Sequence, residues 1–294
     1  MSAPRSGSSF ALAARLLPAD VREDALALYS FCRQVDDLAD LSTDRDAARR
    51  ELEVVRRALL AEPAPEAVGG VPVGTIRRLA ARRGVPLEPL VDLVDTVAGD
   101  LGPVRIATRA DLLDYCYGVA GTVGVAMAAV LGVRSMAALH PAIDLGIAMQ
   151  LCNIARDVVD DAARDRLYLP LDALGDGVTP QRLLAGDPAA RAAAWDATRG
   201  LLALADELYR RADRGLPAIP LRSRPAIVLA ARGYEEIGRE LLRGGGDAAW
   251  RRPVRPRRGQ FAARALTGIV ASLVGRTGGP RPASGGRPEP AKLP

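Results

Sequence analysis

Apolar positions along this chain recur at helical spacing over long stretches, and no run alternates convincingly with the period of two that a half-buried strand requires. Pro18 and Asp20 open a helix that runs through DALALYSFCRQVDDLAD to about Asp40. Another follows from about Asp44 to Leu60 and stops before the proline and glycine of PAPEAVGGVP. After Gly84 and Pro86, VDLVDTVAGDL reads as a helix broken near Gly102 and Pro103. Thr108 and Asp111 make a capping-box start for DLLDYCYGVAGTVGVAMAAVLG. His140 and Pro141 then open AIDLGIAMQLCNIARDVVDDAARD, which ends before the loop RLYLP. Two or three further helices span about 179–243, and 259–275 forms a last amphipathic one. The pattern predicts an all-α, single-domain chain: a flexible N-terminus at 1–7, one helical domain at 8–275, and a disordered basic, Pro/Gly-rich tail at 276–294.

Two of these helices carry a polar stripe on an otherwise apolar surface. At about 100° per residue, Tyr29, Arg33, Asp36 and Asp40 fall within about a 60° arc. Gln150, Asn153, Asp157 and Asp161 fall within about an 80° arc at nearly the same spacings, with Asp37 and Asp160 on the shoulders. Carboxylates one turn apart repel each other and are raised in pKa unless a cation sits between them. Mg²⁺ takes oxygen ligands, keeps some waters and bridges carboxylates to substrate phosphates, so two such stripes suggest a diphosphate held through the metal. Arg33 and Arg156 are placed to contact phosphate oxygens directly. One acidic stripe is ordinarily a solvated face paired with arginines; two, embedded in apolar sequence, point to a site.

The helix at 109–132 supplies apolar surface. Gly118, Ala120, Gly121 and Gly124 leave room along one side for a neighbouring helix or for a long hydrocarbon chain, and spacing does not separate the two. Tyr115 and Tyr117 read, on spacing alone, as core residues with satisfied hydroxyls. Tyr115–Val133 is uncharged and long enough to cross a membrane, but its glycines and alanines weaken its transfer energy, so a buried, closely packed helix is expected.

Composition removes several chemistries. The chain has one histidine, His140, and its only lysine is Lys292, which leaves almost nothing for a Ser-His-Asp triad, a Schiff base or a P-loop. Cys32, Cys116 and Cys152 form no C-x-x-C pair and sit in apolar stretches, which disfavours disulfides and zinc and fits a reducing compartment. MSAPRSGSSF has no signal-peptide core, so a cytoplasmic location is expected. Residues 251–294 hold nine arginines and Lys292 against Glu289, a local +9, so with a total of +5 residues 1–250 carry about −4. The tail lacks aromatic interleaving and a nucleic-acid motif, so no nucleic-acid partner is expected. Peripheral contact with an anionic membrane surface on its inner face suits a basic terminus after an amphipathic helix.

At these residues the sequence resembles the squalene/phytoene synthase family, the head-to-head prenyl synthases. The matching blocks are SSFALAARLLP at 8–18, LYSFCRQVDDLAD at 28–40, YCYGVAGTVG at 115–124 and QLCNIARDVVDDAARDRLYLP at 150–170, in the family's order, and the resemblance extends over roughly 8–275. Within the family the chain looks most like bacterial phytoene synthases. The resemblance implies an isoprenoid-synthase helical bundle around a central cavity with the two Asp motifs facing across its mouth. It implies condensation of two geranylgeranyl diphosphates through prephytoene diphosphate to phytoene, with Mg²⁺, or Mn²⁺ in its place. On the family's pattern Asp36 and Asp40 match the first metal motif, and Asn153, Asp157 and Asp161 the second. Tyr29, Arg33, Gln150, Arg156 and Tyr234 match diphosphate-holding or site-lining positions, Ser9 lies in the substrate flap, and Tyr115 lies near the reacting carbons. Ala11 departs from a commoner aromatic, and Cys152 and Asp160 from commoner Thr and Glu; the first bears on flap shape, not on metal chemistry. No G-x-G-x-x-G follows a strand, which disfavours a Rossmann-bound nicotinamide and leaves a reductase of squalene-synthase type open; for phytoene formation no nicotinamide is expected. Two rival readings stay open: a farnesyl diphosphate-using relative making presqualene diphosphate, squalene or dehydrosqualene, and a catalytically inactive scaffold.

Overall fold

The structure, a computed structural model, describes residues 12–250, 254 and 258–273; the expected N-terminal segment 1–7, Ser9 and the tail 276–294 lie outside them. Helices form where the apolar period places them. The first long one, α1 (Ala19–Asp40), buries Val21, Ala25, Leu28, Phe31, Cys32, Val35 and Ala39 along one face. Asp44 caps α2 (Arg45–Leu60) by accepting from the Ala47 amide at 2.9 Å. A helix absent from the sequence expectation, α3 (Val73–Arg83), turns Val73, Ile76, Leu79 and Ala80 inward and ends on Gly84 at φ 71°. Its arginines hide a short apolar period, yet Arg82 and Arg83 both pair with Asp24, which is buried in α1.

After α4 (Glu88–Gly99) the chain enters β1 (Val104–Arg105) and then α5 (Arg109–Cys116). Both halves of the expected capping box are present: the Asp111 amide donates to Thr108 Oγ1 at 3.2 Å, and the Thr108 amide donates to Asp111 Oδ2 at 3.0 Å. The single helix expected over 109–132 is interrupted, because Tyr117–Gly121 widens into a π turn before α6 (Thr122–Val130). Then come α7 (Leu139–Ala162), β2 (Arg166–Leu167), two short helices α8 (Leu171–Leu174) and α9 (Pro180–Leu184), and the long α10 (Pro188–Asp213), α11 (Arg224–Gly244) and α12 (Arg258–Leu273). The expectation of no sheet needs one small correction: RLYLP contributes β2, which pairs in parallel with β1, Val104 opposite Arg166.

The apolar core divides into two clusters. One joins α1 to α4 with α6 through Leu28, Phe31, Leu52, Ile76 and Leu90. The other gathers α5, α7 and α10 through Leu112, Leu151, Leu201 and Tyr209. Cys32, Cys116 and Cys152 are buried free thiols within these clusters. Between the clusters, α1, α6, α7 and α11 enclose open space.

Glycine spacing does two jobs here. A Cβ on Gly124 would stand 2.4 Å from the Ala142 carbonyl oxygen, and one on Gly146 would stand 2.2 Å from that of Ala120. The glycines therefore bring α6 and α7 into backbone contact, while Ala120, Gly124 and Gly146 also line the space beside them. Arg109–Val130 is the one described segment long and apolar enough to cross a membrane. It packs against α4 and α7, as expected of a buried helix.

Candidate active site

The two polar stripes face one cavity. Tyr29, Arg33, Asp36 and Asp40 of α1 and Gln150, Asn153, Arg156, Asp157 and Asp161 of α7 line a polar space of about 600 Å³, together with Tyr115 of α5. A second, apolar cavity of about 300 Å³ adjoins it, walled by residues such as Val123, Met127, Leu131, Ala142, Leu145, Leu216 and Ile219. Tyr29, Arg33, Asp36, Val119, Gln150 and Asn153 border both, so the apolar space opens directly from the acidic one. Tyr234 of α11 lines the apolar cavity rather than the acidic one. Of the site residues expected from sequence only Ser9 is not placed, because it lies outside the described residues.

Charge is distributed unevenly around the polar cavity. Burial raises Asp36 to about 7, helped by the charge of Asp40 and opposed by Arg33. Burial likewise raises Asp161 to about 8, with Asp157 adding to the rise and Arg164 and Arg166 opposing it. The arginines of the stripes are not idle. Arg33 pairs with Asp37 at 2.7 Å, and Arg156 grips its neighbour Asp157 with two bonds, Nε to Oδ1 at 2.9 Å and Nη2 to Oδ2 at 2.6 Å. An arriving diphosphate must compete with these carboxylates for the guanidinium groups.

Sequence reasoning missed four residues of the cavity: Asp100, Arg164, Arg166 and Tyr168. Arg166 is the central one. Its Nη1 pairs with Asp40 Oδ1 at 2.6 Å and its Nε donates to the Asp100 carbonyl at 3.1 Å. The turn before it is unusual, since Asp165 holds φ 60° without being glycine, its carboxylate pairs with Arg105, and its carbonyl accepts from the Val104 amide at 3.3 Å. That turn and the β1–β2 pairing aim Arg166 into the cavity. All four lie in stretches quoted above, Asp100 in VDLVDTVAGDL and Arg164, Arg166 and Tyr168 in AARDRLYLP, but their spacing to the stripes is set by tertiary structure.

The donor set fits a hard divalent cation. Carboxylates stand on facing helices, and the buried Asn153 Oδ1 has no hydrogen-bond partner, while its Nδ2 donates to Gln150 Oε1 at 3.2 Å. Among the described residues no three carboxylates, histidines or cysteines converge on one point. A metal here would therefore complete its shell with ligand oxygens and water, as Mg²⁺ commonly does.

The raised carboxyls give this fit a measurable sign. Asp36 and Asp161 stabilise the metal-free fold while protonated and cease to do so as pH rises through about 7 and about 8. A divalent cation held here would bind the ionised forms. The gain in thermal midpoint on adding Mg²⁺ is expected to be larger at about pH 8.5 than at about pH 6. An equal gain at both, measured by calorimetry, would contradict the assignment of these carboxylates to the metal.

Comparison with known proteins agrees with this geometry. The Squalene/phytoene synthase family model matches residues 3–259. This chain belongs to that family. It is 39% identical over 253 residues to the phytoene synthase of Pseudescherichia vulneris, covering 83% of this chain and 81% of that one. It is 37% identical over 256 residues to the 15-cis-phytoene synthase of Enterobacter agglomerans, covering 82% and 83%. Among solved structures it is similar to a dehydrosqualene synthase in complex with ligand, at a TM-score of 0.73 and 25% identity, covering 91% of this chain and 93% of that one. The all-helical isoprenoid-synthase architecture expected from the motifs is the architecture found.

Proposed function

We propose that the protein joins two geranylgeranyl diphosphates head to head, through prephytoene diphosphate, to phytoene, with release of two diphosphates. The observation that carries this reading is the apolar cavity that adjoins the acidic one and is lined along α7. Its lining residues on α7 run from Asn153 to Pro141, twelve residues or roughly 18 Å of helix. An extended chain advances roughly 1.2 Å per bond, so the main chain of a geranylgeranyl group spans roughly 18 Å and that of a farnesyl group roughly 13 Å. Sequence favours the same substrate by a small margin: bacterial phytoene synthases are 35–39% identical and the presqualene diphosphate synthase of Zymomonas mobilis 33%.

Bound Mg²⁺ would supply positive charge to the leaving diphosphate, held by Asp36, Asp40, Asn153, Asp157 and Asp161. Arg33 and Arg156 leave their aspartate partners for phosphate oxygens, and Gln150 and Asn153 fix the boundary between the polar head and the apolar chain. Cleavage of the C–O bond sends its electron pair to diphosphate and leaves an allylic cation against a wall that excludes water. The second substrate's double bond captures it and a proton is lost as the cyclopropane closes. A second ionisation, rearrangement and proton loss give the central double bond, so two diphosphates and two protons balance the reaction. None of these steps needs a histidine or a nucleophilic side chain.

Chain length offers the direct test. Ala142→Phe fills the apolar cavity at the Pro141 end of this stretch and is expected to lower kcat/KM for geranylgeranyl diphosphate at least about tenfold more than for farnesyl diphosphate. Equal losses on both substrates would count against the apolar cavity as the binding site of the prenyl chain.

Peripheral membrane contact belongs to the same proposal. On α12, Leu266, Val270 and Leu273 turn outward while Ala265 is buried. Val228 of α11 both lines the apolar cavity and meets Gly268 of α12, so a bilayer on the outer face of α12 would lie one helix from the greasy end of the site. Flotation with anionic liposomes is expected for the full chain and not for a chain lacking 251–294; equal flotation of the two would overturn it.

A further inference from the structure

We propose that Asp100 is a positioning residue that fixes the direction of the Tyr115 hydroxyl, committing its proton to the carboxylate and leaving an oxygen lone pair to face the reacting carbons. The proposal rests on the reading above that prenyl cations form in this cavity. Asp100 belongs to neither acidic stripe: it follows the last turn of α4 and enters the cavity from a third side.

The geometry around it is closed on several sides. Tyr115 Oη donates to Asp100 Oδ2 at 2.8 Å. The Tyr115 ring is stacked on Tyr168, centroids 4.7 Å apart and planes at 28°, so it cannot swing away from the carboxylate without losing that contact. Asp100 is itself held by its main chain, because Arg166 Nε binds its carbonyl oxygen at 3.1 Å and Arg166 is anchored by the β1–β2 pairing and by Asp40. Asp100, just after α4, Tyr115 of α5 and Tyr168, just after β2, thus form one unit.

A phenol has one proton and two lone pairs, and an ionised carboxylate only accepts. Tyr168 also hydrogen-bonds both Asp100 and Tyr115, so with the proton spent on Asp100 and one lone pair met by Tyr168, Tyr115 has one acceptor lone pair left for the cavity. Next to a carbocation that arrangement is favourable, whereas a hydroxyl hydrogen turned toward the cation would oppose it. Pre-setting this orientation before substrate arrives is the kind of fixed dipole that adds to rate rather than to binding. The function of Asp100 is therefore exerted through Tyr115.

A double-mutant cycle on the full chain reads this coupling. Asp100→Asn keeps the shape but offers a donor and an acceptor, so it no longer dictates which way the phenol points. It is expected to lower kcat by about 10- to 100-fold, leaving KM and the half-activating Mg²⁺ concentration within about twofold. Tyr115→Phe is expected to lower kcat to a similar extent, and the double variant to be no slower than Tyr115→Phe alone. Additive losses would overturn the proposal, as would a tenfold rise in the Mg²⁺ requirement, which would make Asp100 a metal ligand. Asp100→Glu gives a second arm that retains a carboxylate: activity above that of Asp100→Asn, lost again when Tyr115→Phe is added, is expected. A glutamate variant whose effect simply multiplies with that of Tyr115→Phe would likewise overturn it. The cycle is run with whichever prenyl diphosphate the wild type turns over, so an error in chain length changes the substrate while an error about Asp100 shows only in the coupling.

Discussion

Asp157→Asn is expected to cut diphosphate release by about 10²- to 10³-fold or more while the helical circular dichroism stays unchanged. The substitution keeps the side-chain shape and removes one charge from the wall of the polar cavity. Its informative feature is Arg156. In the structure Arg156 is gripped by Asp157 through two bonds, so the amide loosens an arginine that is then freer to hold phosphate. If Asp157 served only as a structural partner for Arg156, substrate binding would hold or improve and turnover would survive. If Asp157 brings a cation to the leaving group, kcat falls although KM for the prenyl diphosphate does not rise. Steady-state kinetics at several Mg²⁺ concentrations separates the two outcomes, and Asp36→Asn on the opposite helix is expected to behave in the same way.

Gly146→Ala is expected to destabilise the fold by about 2 kcal/mol, although alanine is the better helix former by about 1 kcal/mol. The added methyl would meet the Ala120 carbonyl oxygen at 2.2 Å, a backbone atom that moves only if the π turn or α7 moves. Overpacking of this kind exceeds the gain in propensity. Gly200 in α10 is the matched control, because a Cβ there meets nothing within 4 Å. Gly200→Ala is expected to stabilise by up to about 1 kcal/mol. Urea denaturation of both variants decides the matter; a Gly146→Ala variant as stable as Gly200→Ala would mean that the π turn and α7 are not held in backbone contact. The same shift of α7 would displace Gln150 and Asn153, so activity is expected to fall with stability.

Much of this architecture could be read from the chain because local chemistry and global fold agree. The period of α1 and α7 fixes both their buried faces and the stripes opposite, so Tyr29, Arg33, Asp36, Asp40, Gln150, Asn153, Asp157 and Asp161 reach one cavity as expected. Thr108 and Asp111 mark the start of α5 by a bond pattern that is itself local. What escaped is what depends on distant partners. α3 is short and arginine-rich, and its stability comes from its inward face and from ion pairs to Asp24 on another helix. The π turn at Tyr117–Gly121 leaves no periodic signal. Arg166 and Asp100 enter the site through a two-residue strand pairing and a left-handed aspartate, neither of which a sequence pattern announces. The small residues of 118–124 left two readings open: Gly124 packs α6 on α7, and Ala120 and Gly124 also line the apolar cavity.

The proposed reaction is ionisation of two geranylgeranyl diphosphates in the acidic cavity, beside the apolar space that takes their chains. It is tested most directly by incubating purified full-length protein with Mg²⁺ and geranylgeranyl diphosphate, and in parallel with farnesyl diphosphate, without nicotinamide, then measuring released diphosphate and extracting the lipid. The account predicts phytoene from geranylgeranyl diphosphate, two diphosphates per phytoene, and loss of both signals in Asp157→Asn. Turnover of farnesyl diphosphate in preference, or no diphosphate from either substrate by folded protein, would contradict it.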